Sequence, residues 1–323
     1  MMTIGSWNTT YSYDTLDRLT TKAAPAGMLS FGYNADDEIS SESYDANGNV
    51  LATGGKTYTY DAENHMTSAN NGQVRMIYDG DGNRVAKIVG GVTTQYLVDD
   101  LNPTGYAQVV EEVVNGAVAR QYTYGLQRIS ESQFINNTWT PSFYVYDGGG
   151  SVREFTDANG KVTDEYEYDA YGNSFTKQGT TPNNYLYRGE QYDADLALYY
   201  LRARYYNPAT GRFMSRDPLD AQPRNPDRTP IDPRRLHKYL YAGADPVNLE
   251  DPRGEGFIQG LKRGAIEYAL ILGLISEPAE EALPHIEVPV ELIFQIAEED
   301  LTTFAGDPPP PWWTGPGPPF SPF

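Results

Sequence analysis

Polar and apolar residues alternate at every second position along most of this chain, in short runs broken by turn sequences. Lys56-Thr57-Tyr58-Thr59-Tyr60 and Asp164-Glu165-Tyr166-Glu167-Tyr168 each put every second side chain on one face, the signature of a half-buried strand. Turn sequences come next, such as Asp45-Ala46-Asn47-Gly48-Asn49, Asp79-Gly80-Asp81-Gly82-Asn83 and Asp169-Ala170-Tyr171-Gly172-Asn173. Asn-Gly and Asp-Gly accept the positive φ of tight hairpin turns. Arg84–Val89 then reads as a returning antiparallel strand. Val109–Arg120 predicts a hairpin through Asn115-Gly116, and Phe134–Trp139 one through Asn136-Asn137.

The runs form an irregular repeat. Tyr-Asp pairs stand at Tyr13, Tyr44, Tyr60, Tyr78, Tyr146, Tyr168 and Tyr192, with Tyr33, Tyr96 and Tyr124 in the larger gaps. Spacings are commonly about 16–24 residues, within the range of repeat architectures. One hairpin is too small to be stable alone, so stacked units must bury their Tyr faces together. The Asp after each Tyr is expected to bond its own turn, not to bind calcium or catalyse. The pattern predicts an all-β chain.

Composition sharpens this reading. The 323 residues include 26 Tyr, 31 Gly and 23 Pro, a strand-and-turn composition. A net charge of -20 disfavours a phosphate-binding face, so no nucleic-acid partner is expected. There is no Cys, which removes disulfides and thiol chemistry. The three His, at 65, 237 and 285, share no metal-ligand spacing, so no metal or cofactor is expected. Met1-Met2-Thr3-Ile4 shows no signal-peptide pattern.

Residues 255–323 change character. Ile258, Leu261, Ala265, Ala269 and Leu272 recur at helical spacing and predict a helix over 257–275. Lys262, Arg263 and Glu267 interrupt a membrane-spanning reading, so packing on the β body is favoured over membrane contact. The Pro-rich end, 307–323, is expected to be an unfolded tail.

A longer match lies between. Tyr187-Arg188-Gly189-Glu190, Leu198-Tyr199-Tyr200-Leu201-Arg202-Ala203-Arg204-Tyr205-Tyr206-Asn207-Pro208, Gly211-Arg212-Phe213-Met214-Ser215-Arg216-Asp217-Pro218 and Asp245-Pro246 through Asp251-Pro252-Arg253-Gly254 occur in order. With the Tyr-Asp units, this resembles the RHS-repeat (YD-repeat) proteins and their C-terminal RHS-associated core. These are related to toxin-complex C subunits and distantly to teneurins. The resemblance implies hairpins in a curved, spiralling antiparallel sheet, part of an RHS shell, with a short α-helical tail. It divides the chain into repeats at 1–198, core at 199–254 and a variable segment at 255–323.

It also implies function. The family forms a shell around a C-terminal segment in bacterial polymorphic-toxin systems, secreted or at the cell surface. The expected partners are the chain's own C-terminal segment, upstream RHS repeats or a secretion-system component. Many members cut their own chain beyond a Pro-x-x-x-x-Asp-Pro-x-Gly motif, filled here by Pro246, Asp251, Pro252 and Gly254. Carried over, the catalytic carboxylates are Asp217 and Asp251, with Arg204 as supporting charge. Two adjacent carboxylates can share a proton, one activating water and one polarising the carbonyl. The alternative is that both are ordinary Asp-Pro turns. Glu255 stands where the family carries Leu, which puts a charge at the expected cut. A surface that recognises carbohydrate or protein through its Tyr-rich face is a further alternative. The short repeat region raises the expectation of an open sheet with edges to protect.

Overall fold

The computed structural model describes residues 8–25, 27–102, 104–218, 237–255 and 258–259. Three hairpin-linked strands come first: β1 (Thr10–Tyr13), β2 (Leu19–Ala24) and β3 (Gly27–Ser30). A fourteen-strand antiparallel sheet comes after them, each strand paired only with its sequence neighbours. Its strands are β4 (Ser43–Tyr44), β5 (Val50–Thr53), β6 (Lys56–Tyr60), β7 (Met66–Ala69), β8 (Val74–Tyr78), β9 (Arg84–Val89) and β10 (Val92–Asp99). They continue as β11 (Gln108–Val114), β12 (Ala117–Tyr124), β13 (Arg128–Ile135), β14 (Thr138–Tyr146), β15 (Val152–Thr156), β16 (Val162–Tyr168) and β17 (Ser174–Gln178). A four-strand sheet holds β18 (Gln191–Asp193), β19 (Leu198–Leu201), β20 (Arg204–Asn207) and β21 (Arg212–Phe213). Last come β22 (Leu249–Glu250) and β23 (Ile258–Gln259), paired with each other.

The repeat has one local cause. Asp14, Asn34, Asp45, Asp61, Asp79, Asp147, Asp157 and Asp169 each accept, on Oδ1, the backbone N–H groups two and four residues on, at 2.8–3.0 Å. One side chain thus satisfies two turn donors. The pairing register slips beside the preceding Tyr at positions 13, 44, 60, 78, 146 and 168, and likewise at Tyr124. Several of these phenols reach back to a carbonyl of an earlier strand: Tyr78 donates to Met66 O at 2.9 Å, Tyr124 to Val109 O at 2.9 Å and Tyr146 to Arg128 O at 2.7 Å. A Phe there would leave the carbonyl without that donor.

One face of the large sheet carries the core. Tyr96, Tyr122, Tyr144, Phe155 and Tyr166 from the large sheet pack with Tyr185, Tyr187, Tyr199, Tyr206, Phe213 and Tyr241. Val50, Tyr58, Met66, Val74 and Met76 form a second cluster with Leu196, Leu198, Tyr205 and Met214. The small sheet therefore serves as the filling of the large one.

Two details differ from expectation. Tyr192-Asp193, counted among the repeats, lies in β18 of the small sheet, and Asp193 is a buried ion-pair partner, not a turn residue. Its contact from Arg84 Nη1 and its 2.7 Å contact to Lys87 are made across the core, which a dipeptide motif does not encode. Ile258–Gln259, at the start of the expected helix, pairs instead with β22. A strand edge offered by Leu249–Glu250 outweighs local helical periodicity. The rest of the expected helix and the Pro-rich tail lie outside the described residues. The large sheet is open, as expected: β4 and β17 each pair with a single neighbour, and the first hairpins lie against its last turn. Lys22 Nζ sits 2.5 Å from Asp169, Tyr13 Oη lies 2.9 Å from Tyr171 Oη, and the Tyr11 and Tyr171 rings are 5.2 Å apart. Side chains, not ladder bonds, make that contact.

Candidate exit-segment centre

The centre grows from the β19–β20 hairpin. Leu201 pairs with Arg204, so Arg202-Ala203 is a two-residue turn, and Arg202 takes the left-handed φ of 59° that the turn requires. The next strand begins with Arg204, which points into the core with its guanidinium carbon 3.6 Å from the Phe213 ring centre. Its Nη2 lies 3.2 Å from Asp217 Oδ2 and 3.2 Å from Asp251 Oδ2. Two carboxylates 34 positions apart in the chain therefore meet on one nitrogen. Their oxygens lie within twice that distance of each other.

Each carboxylate is held by its own element. Asp217 comes after β21, and its N–H donates to Lys238 O at 2.8 Å. Its side chain is 23% exposed, against 2% for Asp251, so solvent reaches the centre from the Asp217 side. Asp251 comes after β22 and accepts the Glu255 N–H on Oδ1 at 3.1 Å. Arg204 Nε donates to Gly254 O. Gly254 has φ +68°, and a Cβ there would stand 2.5 Å from Leu201 O, so the position admits only glycine without displacing the hairpin.

Burial pulls Arg204 below the usual arginine range, against the attraction of Asp251 and Asp217. The guanidinium stays charged at neutral pH regardless. One cation shared by two carboxylates has the geometry of a clamp.

The other motif residues fall around this centre. Pro252 O accepts from Arg202 Nη1. Glu255 is exposed. Pro246 is tied elsewhere: its carbonyl accepts Tyr187 Oη at 3.1 Å and Arg188 Nη2. Sequence reasoning missed Arg202 and Glu190. Glu190 is buried and sits 2.8 Å from Arg202 Nη1; burial raises its carboxyl pKa, partly offset by Arg202. The only signal for them was position, Arg202 two residues before Arg204 and Glu190 in the Arg-Gly-Glu that precedes the core. Among the described residues, no cluster of His, Asp and Glu has metal-site geometry.

Known proteins share this architecture. The family described as Teneurin YD-shell matches residues 4–247. The tRNA nuclease WapA of Bacillus subtilis is 35% identical over 222 residues, covering 66% of this chain and 9% of that protein. The tRNA3(Ser)-specific nuclease WapA of Bacillus spizizenii is 36% identical over 224 residues, with the same coverage of 66% and 9%. The chain thus spans about a tenth of these relatives' length. Among solved structures, the Photorhabdus luminescens Tc holotoxin pore aligns with a TM-score of 0.57 at 21% identity, covering 76% of this chain and 13% of that one. A TcdB2-TccC3 crystal structure aligns with a TM-score of 0.56 at 20% identity and the same coverage.

Proposed function

From the premise that the chain belongs to the Teneurin YD-shell family of RHS/YD-repeat proteins, we propose that it is a length of shell wall with its closing core. The parent is a bacterial toxin-type protein, secreted or carried at the cell surface, and the wall surrounds a C-terminal segment. One observation carries this reading: the core covers one face of the fourteen-strand sheet while the first hairpins touch its last turn. A wall wrapped around its own filling is suited to enclosing, and less to presenting an open groove. Protease challenge tests it. A cleavage site inserted between residues 261 and 323 is expected to be cut at least about ten times more slowly in the folded chain than in the free peptide. Equal rates would refute enclosure.

Self-cleavage near Glu255 is the second reading, favoured by the convergence of Asp217 and Asp251 on Arg204 Nη2. One carboxylate would take a proton from water as its oxygen attacks the carbonyl carbon. The other, protonated, would polarise the carbonyl oxygen, and the departing amine nitrogen would leave with a proton. Intact-mass measurement after incubation from pH 4 to 8 is the test. Fragments divided near residue 255, absent in Asp251→Asn, support cleavage; an intact chain throughout, also in Glu255→Leu, refutes it.

A further inference from the structure

Three consecutive carbonyls of the segment leaving the core are captured by three consecutive residues of the β19–β20 hairpin. Arg202 Nη1 donates to Pro252 O, the Ala203 N–H donates to Arg253 O at 3.2 Å, and Arg204 Nε donates to Gly254 O. We infer that residues 202–204 form a backbone-reading cradle for Pro252–Gly254, with Arg202 as its positioning residue and Glu190 as the counter-ion that aims it.

The arrangement around Arg202 supports the assignment. Its Nη1 lies 2.8 Å from Glu190 Oε2, its Nε donates to Ala107 O at 3.0 Å, and its guanidinium carbon stands 4.2 Å from the Tyr106 ring centre. The planar group is thus fixed on several sides before it meets Pro252 O, so little rotamer freedom is left to lose. The 105–107 loop also grips the segment directly, since Gly105 O accepts Arg253 Nη2 at 2.6 Å. The three cradle donors all bind peptide oxygens, so the cradle recognises main chain and not side chains. Gly254 is the exception, because its missing Cβ lets Arg204 and Leu201 O approach.

The cradle also orients the peptide unit beyond Gly254. The Glu255 N–H is handed to Asp251 while Gly254 O is held by Arg204. Both polar ends of that unit are therefore fixed. A chain severed beyond Glu255 would keep its new end docked, because every cradle contact lies before the break. The inference holds whether or not the chain cuts itself or encloses its tail.

Trypsin reads the cradle without any of those activities. The Arg253–Gly254 bond carries a cleavable Arg whose carbonyl is engaged by Ala203. In the folded chain this bond is expected to resist trypsin. Arg202→Gln should speed the appearance of the fragment ending at Arg253 by about ten-fold or more, as expected for loss of a charge-assisted hydrogen bond. Cuts within the fourteen-strand sheet should keep their rates. Glu190→Gln should give a smaller acceleration, and Arg202→Lys should restore part of the protection. If Arg202→Gln does not fold, amide exchange at residues 253–255 in Glu190→Gln replaces it, with faster exchange confined to those amides as the expected result. An unchanged rate at 253, an equal acceleration at all sites, or exchange at 253–255 unaltered by Glu190→Gln would each overturn the cradle. Intact mass before protease separates this result from self-cleavage.

Discussion

Replacing Arg204 by Met removes a cation and keeps most of its length. Two ion pairs and the bond to Gly254 O disappear together. Asp217, partly exposed, can turn toward water, but Asp251 is 2% exposed and stays buried without its cation. Stripping a buried carboxylate of its ion-pair partner costs about 3–5 kcal/mol. With a urea slope of roughly 2–3 kcal/mol/M, that is a midpoint lowered by about 1–2.5 M. Circular dichroism of the strand signal in urea measures it. The cost should lie mostly in the stranded charge, so Asp251→Asn added to Arg204→Met should recover about 1.5 kcal/mol or more of the loss. Strict additivity of the two substitutions would refute this reasoning, as would an Arg204→Met midpoint within about 0.3 M (~1 kcal/mol) of the parent.

Other outcomes rest on the same physics. Glu131 is fully buried in the large sheet, accepting from Tyr144 Oη at 2.8 Å, and burial raises its pKa although Arg120 opposes the shift. A raised folded pKa means its contribution is present below the ordinary Glu value and is lost as pH rises through the folded one. Glu131→Gln should therefore raise the melting temperature by about 2 °C at pH 7, equivalent to ~1 kcal/mol in a chain of this size, with no gain at about pH 4; calorimetry at the two pH values decides. Asp79 and Asp193 both stand after a Tyr, yet their Asn variants should part company. Asp79→Asn should cost less than about 0.5 kcal/mol, since Asn34 fills the same turn role with an amide oxygen. Asp193→Asn should cost about 3 kcal/mol or more by urea titration, because Arg84 and Lys87 lose the carboxylate that holds them in the core.

Much of the candidate centre was legible before the fold. Asp217, Asp251, Arg204 and Gly254 stand in motifs long enough to recognise, and all four meet at one point. Arg202 and Glu190 were not legible, because an Arg in a hairpin turn has no local mark of what its five donors will reach. Asp157 was missed as a repeat turn for a different reason: Thr156, not Tyr, precedes it, although its carboxylate makes the same two bonds.

The sequence by itself determined the strands and turns. Alternation at period two, Asx residues whose oxygen serves their own backbone, and Gly or Asn at positive φ are interactions within a few residues. They survive any change in the surroundings, so the repeat could be counted along the chain. Only the tertiary structure decided which carboxylates, in turns or not, become buried ion-pair partners. Asp193 meeting Arg84, Lys22 meeting Asp169, and Asp217 and Asp251 meeting Arg204 all join residues far apart in the chain. Their energetics come from removal from water, and removal from water depends on how the small sheet fills the large one.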